Sequence, residues 1–179
     1  NHPERMFGFY SIRTDYWNIN RDIELKKLED DLVKYNSYGI KLAHAHQQMR
    51  LDDKRFDGIY EIAGRLSKPV YIHTGTSPNP YTRREPPYVD PLYLEESIKK
   101  YPQTKFILGH SGYDSYNIAL TYLDSCIELV KKYENVFSPP IIQTSSYFFF
   151  VQCDITESTF GKYSISLYGE YGILSVSLH

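Results

Sequence analysis

The chain has 179 residues, of which 41% are hydrophobic and 23% are charged, a composition typical of one globular domain with its own core. Its formal net charge of −2 gives no basis for nucleic acid or an anionic membrane surface as a partner. The apolar runs are all far shorter than the roughly 20 residues of a membrane-spanning helix, so the sequence predicts no membrane partner.

The two cysteines, Cys126 and Cys153, lack the spacing of a metal site. Cys126 lies in a segment with helical periodicity, where a small core residue is favoured over a nucleophile. This cysteine usage predicts a reduced, cytoplasmic protein. Whether the chain forms a homo-oligomer stays open.

Short apolar runs of strand length alternate with segments of helical periodicity along most of the chain. The predicted strands are Met6–Ile12, Gly39–Ala43, Lys68–His73, Lys105–Gly109 and Asn135–Phe137. The predicted helices run from Asn20 or Asp22 to Tyr35, from Asp52 or Asp53 to Leu66, from Asp90 to Tyr101 and from Tyr116 to Tyr133. The acidic or amide residue at the start of each of the first three is a candidate cap. A long loop, Thr74 to Val89, precedes the third helix.

Strands that alternate with helices predict a parallel sheet with right-handed crossovers, in an α/β fold. Such a sheet either closes into a (β/α)8 TIM barrel or stays open as a doubly wound sheet. The first strand is followed by neither a GxGxxG nor a GxxxxGK[ST] motif, which favours the barrel. A complete barrel typically needs about 250 residues. The sequence therefore predicts a partial barrel of about five parallel strands over residues 1–138.

The composition changes after Ser138. Only four residues from 139 to 179 are Asp, Glu, Lys or Arg, namely Asp154, Glu157, Lys162 and Glu170. The weak alternation from Tyr163 to Tyr168 is compatible with a strand, but the strand–helix rhythm does not continue. We predict a separate, irregular tail over 139–179, and its abrupt start raises the hypothesis of a misjoined gene product.

Two predicted strands end in a histidine, His73 and His110, each followed by small residues. In a parallel α/β sheet, binding and catalytic groups collect at the carboxyl ends of the strands. If the two strands are neighbours, the imidazoles lie a few ångströms apart on one rim. Neutral imidazole is the commonest metal ligand in proteins. The pair therefore predicts a metal or catalytic site.

Two ligands are fewer than the three that a hydrolytic zinc site usually has. His44 and His46, just past the second predicted strand, are an obvious third source, although the polar residues after them favour solvated loop histidines. Lys41 lies inside an apolar strand, so it is expected to point into a barrel interior or at a carboxylate. Two interpretations of Lys41 stay open, a substrate or metal contact and a partnered structural lysine.

Arg83 and Arg84 lie in the long loop after His73. Adjacent arginines there could hold a substrate carboxylate in a bidentate grip, or could simply be solvated. Asp52 and Asp53 are interpreted as a helix cap rather than a general base. The lack of a GxSxG motif argues against a serine hydrolase.

At these residues the chain resembles the amidohydrolase-related family of metal-dependent hydrolases, which fold as TIM barrels. The segments that carry the resemblance are HPERMFGFYSI (2–12), GIKL (39–42), KPVYIHTGTSPNP (68–80), YVDPLYLEESIKKYP (88–102) and KFILGHSG (105–112). They cover residues 1 to about 138 and imply strands three to seven of the family barrel. The family often reads Lys-Leu-His-Pro at its fourth strand, whereas this chain reads Lys-Leu-Ala-His at 41–44.

The resemblance implies that His73 and His110 are metal ligands and that the cofactor is a divalent metal ion, with zinc favoured. It also implies a small-molecule substrate whose C–N or C–O bond is attacked by metal-activated water. The family's other ligands, an HxH pair on the first strand and an aspartate after the eighth, have no identifiable counterpart, and Asp154 lacks the expected context. Two alternatives stay open, a metal-dependent nonoxidative decarboxylase and an inactive, truncated copy.

Overall fold

A computed structural model describes residues 8–12, 14 and 17–139, and in the last part of the chain the strand segments 143–144, 147–148, 153–157, 163–169 and 172–178. The chain divides into two compact units, 1–138 and 139–179. In the described ranges, none of the helices has both the length and the apolar character needed to cross a membrane.

The first unit is built on a sheet of five strands, all of them parallel. The strands are β1 (Phe9–Ser11), β2 (Gly39–Leu42), β3 (Val70–His73), β4 (Phe106–Gly109) and β5 (Val136–Phe137). Their order in the sheet is the order in the chain, from β1 to β5. The α/β fold with about five parallel strands is thereby confirmed, while the start of the first predicted strand, Met6 and Phe7, lies outside the described residues.

Helices connect consecutive strands. They are α1 (Trp17–Lys34), α2 (His44–Gln47), α3 (Asp57–Arg65), α4 (Pro86–Val89), α5 (Glu95–Lys100) and α6 (Leu123–Lys132), with 3-10 turns at Lys54–Phe56, Pro91–Leu94 and His110–Gly112. Asp53 accepts a hydrogen bond from the backbone N–H of Arg55, and Asp90 accepts one from Leu92. Both residues therefore cap a helical turn, as predicted from their positions.

Alternation along the strands separates a core face of the sheet from a site face. The core-face side chains are all buried, and they are Ile40, Leu42, Val70, Ile72, Phe106, Leu108 and Val136. They pack with helix residues such as Leu28, Ile59 and Leu129 in one hydrophobic cluster. The alternate positions, Lys41, Tyr71, His73, Ile107 and Phe137, are only half-buried. We call this second set the site face, because it carries His73.

The last helix of the first unit begins later than predicted. Helical periodicity extends back to Tyr116, but α6 begins at Leu123. The Asp114 carboxylate accepts hydrogen bonds from the backbone N–H groups of Tyr116 and Asn117, and Asp114 pairs with Ala119 in an isolated β-bridge. These bonds hold the segment in a non-helical turn, because a side chain that binds nearby backbone N–H groups competes with helix formation.

Gly75 is required by the loop after β3. Its φ is +77°, and a Cβ added there would collide with the backbone carbonyl of Tyr113. We expect Gly75→Ala to lower the free energy of unfolding by about 2–4 kcal/mol, since left-handed backbone strain and the clash add together. Urea denaturation would measure this loss. Gly8→Ala is the control, because nothing lies within 4 Å of an added Cβ at Gly8, and equal stabilities of the two variants would contradict the prediction.

The second unit contains antiparallel strands in its described segments. β6 (Gln143–Thr144) pairs with β7 (Tyr147–Phe148), and β8 (Cys153–Glu157), β9 (Tyr163–Gly169) and β10 (Gly172–Leu178) form a three-stranded sheet. The weak alternation from Tyr163 to Tyr168 falls within β9. The side chain of Asp154 lies outside the described part of the structure.

Candidate active site

The carboxyl ends of β3 and β4 bring His73 and His110 together. His73 is paired in register with Gly109, so His110 follows directly beside it. The ring centroids of the two imidazoles lie 4.5 Å apart, with an interplanar angle of 62°. His110 and Ser111 have φ values of +67° and +49°, which turn the chain sharply at the strand end. The juxtaposition expected from neighbouring strands is therefore present.

Both imidazoles are held in the neutral form at neutral pH. Burial lowers the pKa of His73 to about 3, and repulsion from a protonated His110 and from the Lys41 ammonium acts in the same direction. Burial and the charge of Lys41 lower the pKa of His110 to about 4. The Nε2 atom of His73 is buried and has no hydrogen-bond partner among the described residues. A buried ring nitrogen without a partner, beside a second neutral imidazole, fits the first two ligands of a metal ion.

The part of the chain that the structure describes does not supply a third ligand. It contains no group of three or more histidine, cysteine, aspartate or glutamate side chains placed to hold a metal ion. The nearest further imidazole is that of His46, whose ring centroid lies 5.4 Å from that of His73. Among the described residues, His73 and His110 are therefore a pair of candidate ligands that no third one joins.

His44 and His46 separate because they lie on the short helix α2. His44 is fully buried, with its ring centroid 4.1 Å from that of Phe56 and its Nε2 atom 3.5 Å from the Tyr60 hydroxyl. His46 is exposed, and its ring packs edge-to-face against the ring of His73. The expectation of a solvated loop histidine is therefore wrong for His44, since a helix directs positions two apart to different sides.

Lys41 projects from β2 on the site face. Its Nζ atom lies 3.9 Å from the centroid of the Tyr71 ring. Burial lowers the pKa of Lys41 to about 8. The Tyr71 ring occupies the space that a side chain at residue 109 would need, so a glycine there is required for this arrangement. The Tyr71 ring centroid also lies 6.2 Å from that of His110.

The two loop arginines have different partners. Arg83 donates hydrogen bonds to the Glu85 carboxylate from both Nε, at 3.0 Å, and Nη2, at 2.8 Å, so its guanidinium already binds a carboxylate. The Arg84 guanidinium lies 4.0 Å from the centroid of the Tyr116 ring, and its buried Nε atom has no hydrogen-bond partner within the described ranges. Among the described residues, the Arg83 side chain is thus paired with a carboxylate, whereas the Arg84 side chain is not.

Hydrogen bonds join the loops that follow β3 and β4. The Thr74 hydroxyl donates to the carbonyl of Gly109 at 2.8 Å and accepts from the N–H of Gly112 at 2.9 Å. The Thr76 hydroxyl donates to Asp114. Although burial raises the pKa of Asp114, hydrogen bonds from Thr76 and Asn117 outweigh it and lower this pKa to about 2. Sequence reasoning missed these residues, because threonines and an aspartate in loops carry no distinctive spacing.

Comparisons with known proteins agree with this architecture. Residues 19–154 match the model of the Amidohydrolase family. An uncharacterized TIM-barrel protein from Bordetella bronchiseptica has a similar structure, with a TM-score of 0.60 and 15% identity over 76% of this chain and 44% of that protein. A 2,6-dihydroxybenzoate decarboxylase from Rhizobium matches with a TM-score of 0.44 and 19% identity, over 62% of this chain and 40% of the enzyme.

The matches differ in how much of this chain and of the other protein they cover. No protein with a curated description matches the sequence significantly. The chain spans less than half the length of the two solved structures, 44% and 40%. The family model, in contrast, covers most of the chain and both strand-end histidines. The chain belongs to the Amidohydrolase family, and its five-stranded sheet matches part of a TIM barrel.

Proposed function

We propose that this chain carries part of a centre at which a divalent metal ion, with zinc favoured, promotes hydrolysis of a C–N or C–O bond in a small molecule. The observation that carries the proposal is the buried Nε2 atom of His73. It has no hydrogen-bond partner in the part of the chain that the structure describes, and its ring centroid lies 4.5 Å from that of His110. Amidohydrolases generally use divalent metal ions, which supports this assignment.

His73 and His110 would hold the ion, since both rings stay neutral at neutral pH and keep a nitrogen lone pair available. When bound there, the ion supplies Lewis acidity that activates water near neutral pH. Thr74 holds the β4 end and the following turn in place through its bonds to Gly109 and Gly112. We assign the substrate side of the site to Lys41 and Arg84, because Arg83 is bound to Glu85.

Metal content and turnover test this proposal together. Purified full-length protein, freed of metal and then exposed to excess zinc, is expected to retain zinc in stoichiometric amount after gel filtration, as measured by plasma mass spectrometry. A panel of amides, esters and lactones is then expected to show hydrolysis that depends on the added metal.

Other outcomes would point to the alternatives. Failure to retain zinc, cobalt or manganese at saturating concentration would overturn the proposal and favour an inactive copy. Release of carbon dioxide from an acid, without hydrolysis of any member of the panel, would replace hydrolysis by decarboxylation at the same site.

A further inference from the structure

Helix α6 carries apolar side chains on two of its sides. On one side, Cys126 and Leu129 are buried in the hydrophobic cluster of the first unit. On another, Leu123, Ile127 and Val130 recur at helical spacing, and Ile127 and Val130 are each 39% exposed. Such spacing ordinarily marks a face that a helix buries. This second set, which we call the α6 stripe, is therefore patterned as a packing surface although the structure leaves it partly exposed.

The α6 stripe lies on the flank of the helix that points away from α5. On the opposite flank, Lys132 donates a hydrogen bond to Glu95 of α5 at 2.6 Å. Leu123 and Lys132 are about two and a half helical turns apart, so their side chains leave opposite sides of the helix. In the ring of helices of a (β/α)8 barrel, each helix has a neighbour on both flanks, but within the described residues no helix follows α6. The stripe is thus on the flank that a following helix would cover.

Charged residues beside the α6 stripe are placed for pairing with a second copy of this chain. Asp124 precedes Ile127 by three residues, Lys131 follows it by four, and both side chains are exposed. Neither makes an ion pair or a side-chain hydrogen bond within the described residues. Two antiparallel copies of α6 that meet at Ile127 would bring each Asp124 opposite the other copy's Lys131, whereas two parallel copies would bring like charges together. The stripe is therefore complementary in charge to itself in one orientation only.

We propose that the α6 stripe is the interface of a homodimer, in which α6 packs antiparallel against α6 of a second copy about a two-fold axis near Ile127. Leu123 of each copy then lies near Val130 of the other, and the pairing of Asp124 with Lys131 occurs twice, as the symmetry requires. Because α6 has only 10 residues, the interface is small and the dimer is expected to be weak and reversible. This inference does not depend on the proposed function.

Sedimentation of the full-length protein at increasing concentration tests the proposal. The wild type is expected to pass from monomer to dimer between about 1 μM and about 1 mM, the range of a weak interface. Ile127→Glu would place two carboxylates together at the two-fold axis, so this variant is expected to stay monomeric over the same range. Circular dichroism would verify that the variant is folded, as expected for a substitution at an exposed position.

Exchange of the charges distinguishes pairing through α6 from any other self-association. Asp124→Lys or Lys131→Asp alone is expected to weaken the dimer at least about tenfold, because each brings like charges together twice. The double variant should dimerise as the wild type does, and an equimolar mixture of the two single variants should form a heterodimer. The control is Glu61→Lys, the same charge reversal at an exposed position of α3, which should leave dimerisation unchanged.

Two outcomes would overturn the proposal. A wild type that stays monomeric at every concentration would favour coverage of the α6 stripe by another part of the same chain. A dimer that neither Ile127→Glu nor the single charge reversals weaken would place the contact elsewhere on the molecule.

Discussion

Replacement of His73 by alanine is expected to weaken zinc binding by about a hundredfold or more. The Nε2 atom of His73 is buried and accepts or donates no hydrogen bond within the described residues, so the variant removes a proposed ligand atom that is not engaged there. Loss of residues that merely support a ligand typically costs 10- to 100-fold in metal affinity, and loss of a ligand should cost at least as much. Competition with a chromogenic chelator would measure the change.

His110→Ala is expected to show a loss of similar size, because the two rings approach within 4.5 Å between centroids. His46→Ala is the matched control. Its ring touches the edge of His73, but we assign it no ligand role, so its zinc affinity should stay near that of the wild type. If His46→Ala lost as much affinity as His73→Ala, the two-histidine assignment would be wrong.

His44 is expected to make the protein markedly less stable in acid. Burial lowers its pKa to about 3 in the folded state, against about 6.5 for an unperturbed histidine. Below pH 6.5 the unfolded chain therefore binds a proton that the folded chain does not. The free energy of unfolding should fall as the pH falls, by about 1.4 kcal/mol per pH unit from this residue alone, between about pH 6 and pH 3.

His44→Phe isolates this contribution. Phenylalanine keeps an aromatic ring against Phe56 and removes the buried Nδ1 atom that has no partner. Urea denaturation of the metal-free protein at pH 7 and pH 5 should show a smaller loss of stability for His44→Phe than for the wild type. His73 and His110 act with the same sign in both proteins, so the difference between the slopes reports His44, and parallel slopes would refute the assignment.

The sequence predicted the elements of the sheet because their signals are local. Short apolar runs, Gly39 and Pro69 mark where strands begin, and Asp53 and Asp90 precede helical turns that they cap. His73 and His110 could be placed together because consecutive parallel strands were expected to be neighbours, which the sheet order confirms. Their role as metal ligands stays a prediction.

Other features depend on contacts that sequence spacing does not encode. The apolar periodicity favours a helix from Tyr116. Because the Asp114 carboxylate accepts hydrogen bonds from two backbone N–H groups there, α6 begins only at Leu123. The sequence left two interpretations of His44 and His46, a pair on a strand and residues of a solvated loop. In the structure both lie on α2, so the His44 side chain is in the core and the His46 side chain is at the rim of the sheet. That Lys41 faces an aromatic ring instead of a carboxylate follows from the packing of β2 against β3.

The register of β3 and β4 makes the separation of the two imidazoles a property of the main chain. His73 is paired with Gly109 through the ladder of parallel strands, and the loop and helices between them do not enter that pairing. Extra residues in the exposed loop near Pro80 and Tyr81 should thus leave the two rings in place. One residue removed within β3 would instead exchange its two faces, turning one imidazole toward the helices. The exposed tip of the loop can therefore change in length without moving the two rings, whereas the strands beneath them cannot.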